Sequence, residues 1–129
     1  MGFLGVVGAI AAVGVVGLFA HQNWQNAERD RERRETPCQF NEGISESDFC
    51  EIAGSAKKGV SRIRSIHVNG PTVCGVVRSQ SGISEWRFEL DFNDWGHITG
   101  QYWVRSENSD SQIPRLVGDR MKEEIEARL

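Results

Sequence analysis

The first twenty residues, MGFLGVVGAIAAVGVVGLFA, contain no charge and no strongly polar side chain. A run of that length and composition has two ordinary fates, a membrane-spanning helix or a signal peptide that is removed. At 1.5 Å per residue, a helix over residues 2–20 would be roughly 28 Å long, close to the hydrocarbon thickness of a bilayer. A cleaved signal peptide wants Lys or Arg before the apolar run and small residues at the cut. Here no basic side chain precedes the run, and Leu18 stands where a small residue belongs. The first cysteine is Cys38, too distant for lipoprotein attachment. Residues 1–20 are therefore expected to form an uncleaved single-pass transmembrane anchor held by membrane lipid.

The flanks orient that anchor. Arg29, Arg31, Arg33 and Arg34 all follow the run, so the excess of basic side chains puts the C-terminal side in the cytoplasm. Within the run, Gly5/Ala9 and Gly8/Ala12 have the small-xxx-small spacing that lets helix backbones approach closely in lipid. A homo-oligomer through this glycine-rich span is one expectation. The other is that glycine is simply common in membrane helices.

Residues 21–37, HQNWQNAERDRERRETP, place Trp24 where an interfacial aromatic would sit. Asp30 precedes Arg34 by four, a supportive helical pair, but no apolar stripe accompanies it. The segment is expected to be a solvated helix extension or tether, ended at Thr36 because the residue before Pro37 is biased away from helix. The folded domain is expected over residues 38–129.

Its first element has a clear signature. Ser45 and Asp48 have capping-box spacing, and Ile44 and Phe49 have that of a hydrophobic staple. Phe49, Ile52, Ala53 and Ala56 recur on one helical face. Lys57 and Lys58 suit the negative end of the helix, and Gly59 can stop it in the left-handed conformation.

Two strands should follow, residues 60–68 and 72–78, joined by the turn NGPT. That register sets Val68 against Val73 and His67 against Cys74. An imidazole beside a thiol can lower the thiol's pKa and make a nucleophile, so Cys74 and His67 are the candidate catalytic pair. The simpler alternative is a half-buried cysteine beside a hydrogen-bonded histidine.

In SEWRFELDF, Trp86, Phe88, Leu90 and Phe92 alternate with Glu85, Arg87, Glu89 and Asp91, giving one buried and one wet face. The partner strand HITGQYWVR alternates similarly, and Asp94-Trp95-Gly96 between them suits a three-residue hairpin loop with Gly96 at positive φ. In the simplest register Phe88 faces Tyr102, Asp91 faces Thr99, Arg87 faces Trp103 and Glu85 faces Arg105. Asp91 and His97 are then diagonal, which argues against a carboxylate–histidine base. Trp103, flanked by Arg87 and Arg105, becomes the candidate interface residue. The C-terminal segment should form a helix capped by Ser111, with Pro114 in its first turn. Its apolar stripe comprises Ile113, Leu116, Val117, Met121, Ile125 and Leu129.

The run Phe92 to Pro114 also resembles the C-terminal parts of small single-pass bacterial membrane proteins of unknown function. That resemblance implies architecture alone and brings no catalytic residue with it.

Motifs for metal, phosphate-loop or dithiol chemistry are absent from the sequence, so no metal or cofactor is expected. Cys38, Cys50 and Cys74 are an odd set, better suited to a reducing compartment than to a disulfide framework. Between Ile52 and Ser84 the charged side chains are all basic: Lys57, Lys58, Arg62, Arg64 and Arg78. Lys57, Lys58, Arg62 and Arg64 form a candidate binding group for anionic lipid headgroups or an acidic protein partner. The formal net charge of −3 argues against nucleic acid. The expected whole is an α+β protein: a transmembrane helix, then a helix, a four-stranded antiparallel sheet and a helix. Its expected role is a membrane-tethered, non-enzymatic interaction or accessory module; the alternative is a thiol-dependent enzyme or redox sensor using Cys74 and His67.

Overall fold

The computed structural model describes residues 24–129. The expected span over residues 1–20 lies outside them, and no helix among the described residues is long and apolar enough to cross a membrane. The fold is α+β. Helix α1 (Trp24–Glu35) leads into α2 (Glu46–Lys58), strands β1 (Ile63–Asn69), β2 (Thr72–Arg78), β3 (Glu85–Asp91) and β4 (Trp103–Ser106), and helix α3 (Ile113–Arg128). The strands form one antiparallel meander in the order β1-β2-β3-β4.

Helix α2 starts as its sequence dictates. The Ser45 side chain accepts from the Asp48 backbone N–H at 3.0 Å, and the Asp48 carboxylate accepts from the Ser45 N–H at 3.1 Å. That reciprocal pair satisfies two of the donors a helix start leaves open. Phe49, Ile52, Ala53 and Ala56 are buried, as is Ile44 before the cap. The helix ends differently from expectation. Gly59 has φ −90° and ψ 0°, not a left-handed conformation; its N–H returns to the Ala56 carbonyl at 3.3 Å, and the Val60 N–H to that of Lys57 at 3.1 Å. A Cβ at Gly59 would meet the Arg120 guanidinium of α3, the movable end of a flexible side chain.

The β1–β2 hairpin has the expected register, Val68 against Val73 and His67 against Cys74, with Gly70 at φ 59° in the turn. A bulge between Ile63 and Ser65 shifts the outer end of β1. Val73, Val77, Phe88 and Leu90 line the inner face, where α2 and α3 close the core. Gly75 is needed for space, because a Cβ there would enter the Phe88 ring opposite it. On α3, Ile113, Val117, Met121 and Ile125 are buried, whereas Leu116 and Leu129 are exposed. The expected six-residue stripe was too wide for one face. Ser111 sits one residue before the helix cap Gln112 and accepts from the Ile113 N–H at 3.2 Å.

The β3–β4 connection corrects the sequence reading. Trp103 pairs with Asp91 and not Arg87, and Glu89, not Glu85, faces Arg105. This slip of four residues preserves the two faces, because side chains alternate with period 2. Residues 92–102 leave the ladder as an excursion. Within it Asp94 and His97 exchange backbone hydrogen bonds of 2.9 and 3.2 Å around Trp95 at φ 53° and Gly96 at φ 96°. The turn therefore has two central residues, both at positive φ, where three had been expected. A second bend at Gly100, φ 104°, brings the chain back to β4. The detour turns Phe92 and Ile98 into the core, at 0% and 2% exposure.

Candidate functional site

The strongest polar constellation is centred on Arg33 of α1, a residue expected to be solvated. It is 3% exposed. Its Nη2 donates to Asp30 Oδ1 at 2.6 Å, and its Nη1 pairs with Asp91 Oδ2 at 3.1 Å and donates to the Asn93 carbonyl. The flat face of the guanidinium lies over the Trp103 indole, 3.7 Å from the ring centroid. One side chain thus joins the helix, the end of β3, the excursion and β4. Helix α1 lies in the segment expected to be a solvated helix extension or tether, and Arg33 near its end packs onto the domain.

Asn93 completes this junction. Its amide donates to the Arg34 carbonyl at 3.1 Å and the Thr36 carbonyl at 2.7 Å, capping the C-terminal end of α1. Its Oδ1 accepts from the Gly96 N–H at 2.7 Å, so one buried side chain holds both the helix end and the turn. Asp91 was assigned to the wet face; it lies on the outer side of the sheet yet is 6% exposed, because α1 covers it. Its charge, after burial, also raises the Cys38 thiol pKa.

Trp103 is consequently half-buried and stacked against Arg33. Arg105 donates to Glu89 at 3.0 Å. Arg87 is exposed, and its backbone exchanges hydrogen bonds with Glu107. The four-residue slip removes Arg87 from Trp103's side, while Arg105 stays on the same strand face as Trp103. Between Arg33, Arg34, Trp103 and Arg105 lies a cleft of about 230 Å³, into which Asp30 and Asp91 also face.

The expected basic group divides. Lys57 and Lys58 occupy the end of α2, and Arg120, unremarked in the sequence, joins them there by packing on Gly59. Arg62 is exposed and held at φ 69°, uncommon for a side chain other than Gly, Asn or Asp. Arg64 forms an ion pair with Glu85 and is thereby partly neutralised.

Cys74 and His67 do oppose each other on β1 and β2. The Cys74 sulfur, however, lies 3.9 Å from Glu89 Oε2. Burial first, and then the Glu89 charge, push its pKa up to about 11, so at neutral pH it is a thiol. A carboxylate neighbour opposes the activation that a histidine neighbour was expected to supply.

A broader groove of about 700 Å³ lies at the far end of the sheet, where the β2–β3 loop meets the start of α3. Trp86, Ile113 and Leu116 give it apolar wall, and Arg62, Glu107 and Asp110 a polar rim. Ile83, in that loop, is 88% exposed, and Leu116 is 50% exposed. Periodicity marked Leu116 as core, so the exposure was not legible in advance.

No protein-family model, curated protein or solved structure matches the chain.

Proposed function

We propose that this chain is a membrane-tethered, non-enzymatic interaction or accessory module. Residues 1–20 form its transmembrane anchor, and the α+β domain lies on the cytoplasmic side. The charge-free run and the arginines that follow it support the tether and its orientation. The interaction role rests on one observation: Leu116, 50% exposed, lines a groove with Trp86 and Ile113, and the loop that supplies Gln80 and Ser84 to that groove carries Ile83 at 88% exposure. Ordinary surfaces carry scattered apolar residues, but apolar side chains gathered at one concave site suit a protein contact. The state of Cys74, a thiol beside a carboxylate, lends no support to thiol catalysis.

Site-specific photo-crosslinking at Ile83 in the native membrane tests this proposal. A discrete crosslinked protein, lost with Leu116→Asp, is the expected result. Crosslinking to no protein would remove the groove as an interface. Release of the chain by alkaline carbonate would separately overturn the anchor.

A further inference from the structure

The cleft between α1 and β4 has the chemistry of an oxyanion site. We infer that it takes a phosphate group, bound between Arg34 and Arg105 against the Arg33–Trp103 stack.

Three guanidiniums line the cleft against two carboxylates. Both carboxylates are already engaged: Asp30 accepts from Arg33 and Arg34, and Asp91 pairs with Arg33. The donors are less fully used. Arg34 gives Nε to Asp30 and Arg105 gives one Nη to Glu89, and each guanidinium carries five N–H groups. Their remaining donors have no acceptor among the described residues. Arg33 lines the same cleft, and its Nε is buried with no hydrogen-bond acceptor among the described residues, a costly state for a donor. Phosphate suits the set because its several oxygens can be shared by forked guanidinium donors from two sides. The volume of about 230 Å³ admits such a group but no large ligand.

The site sits on the helix that follows the apolar run in sequence, so two sources offer the same chemistry, a lipid headgroup phosphate or free phosphate. Only the lipid source depends on the membrane-tethered proposal; the cleft itself does not.

Full-length protein in phosphate-free maltoside micelles, titrated with inorganic phosphate against chloride at constant ionic strength, provides the test by calorimetry. Saturable binding is expected. Arg34→Gln and Arg105→Gln should each weaken it by about tenfold or more, the loss of one charge-assisted donor set. Arg78→Gln, at an exposed position outside the cleft, should leave it unchanged. Absence of saturable binding, or binding that neither cleft substitution alters while far-UV circular dichroism stays intact, would overturn the inference. In nanodiscs containing phosphatidic acid, loss of the phosphate isotherm identifies the lipid as the occupant. A retained isotherm identifies free phosphate.

Discussion

Arg33 and Asp91 form an ion pair of 3.1 Å between a helix preceding the sheet and the last residue of its third strand, with Arg33 3% and Asp91 6% exposed. A buried pair is weak evidence of net stabilisation, but removing one partner strands the other charge. Arg33→Met should therefore destabilise the domain by about 3 kcal/mol in urea denaturation, and Asp91→Asn by a comparable amount. The double variant should recover part of the loss. Strict additivity of the two single effects would show that the pair is not coupled.

Trp103 now has a structural role to test. Trp103→Ala removes the surface on which the Arg33 guanidinium rests. The expected cost is about 2 kcal/mol, from the cation–π contact and its apolar area together. Because the indole faces α1 and not the core, trypsin should cut after Arg29, Arg31 or Arg34 sooner than in the unaltered chain. An unchanged cleavage rate would mean that the stack does not hold the helix.

The glycines divide by mechanism. Gly75→Ala should cost about 1–3 kcal/mol, since the new methyl meets the Phe88 ring in a filled core. Gly96→Val should cost more than about 1 kcal/mol for another reason, a β-branched side chain at φ 96°. His97→Ala, at an exposed position whose turn bonds are made by backbone, should cost much less. Thermal unfolding of the three variants checks the ranking.

Cys74 should alkylate slowly at neutral pH, accelerating only as pH approaches about 11. Its folded pKa lies above the ordinary thiol value of 9.0, so the folded state holds the proton more tightly. The associated stability is complete below pH 9.0 and is lost as pH rises toward 11. Glu89→Gln should bring the rise to lower pH. Fast reaction at pH 7 would instead restore Cys74 as a nucleophile.

Local rules were legible wherever a residue's partner lay nearby in sequence. Ser45 and Asp48 specified a helix start because each satisfies the other's backbone three residues away. The turn at Gly70 and Pro71 fixed the register of His67 with Cys74 for the same reason. The alternation through Trp86, Phe88 and Leu90 identified the inner face even though the pairing partner was wrong, because a slip of four residues leaves side-chain direction unchanged.

Long-range partners decided the rest. Asn93 could have closed a simple hairpin, but its amide instead binds the carbonyls at the end of α1, nearly sixty residues earlier. Arg33 sat in a charged run with no apolar stripe, so hydrophobic periodicity could not mark it for burial. Its place follows from a flat guanidinium that can stack on Trp103 while its edge donors reach Asp30, Asp91 and Asn93. Sequence alone determined the helix–sheet–helix order and the two faces of the sheet, since those depend on short periodicities and local caps. Only the tertiary structure decided that α1 covers the outer corner of that sheet, since a buried charge is tolerable only where distant groups converge to pair with it.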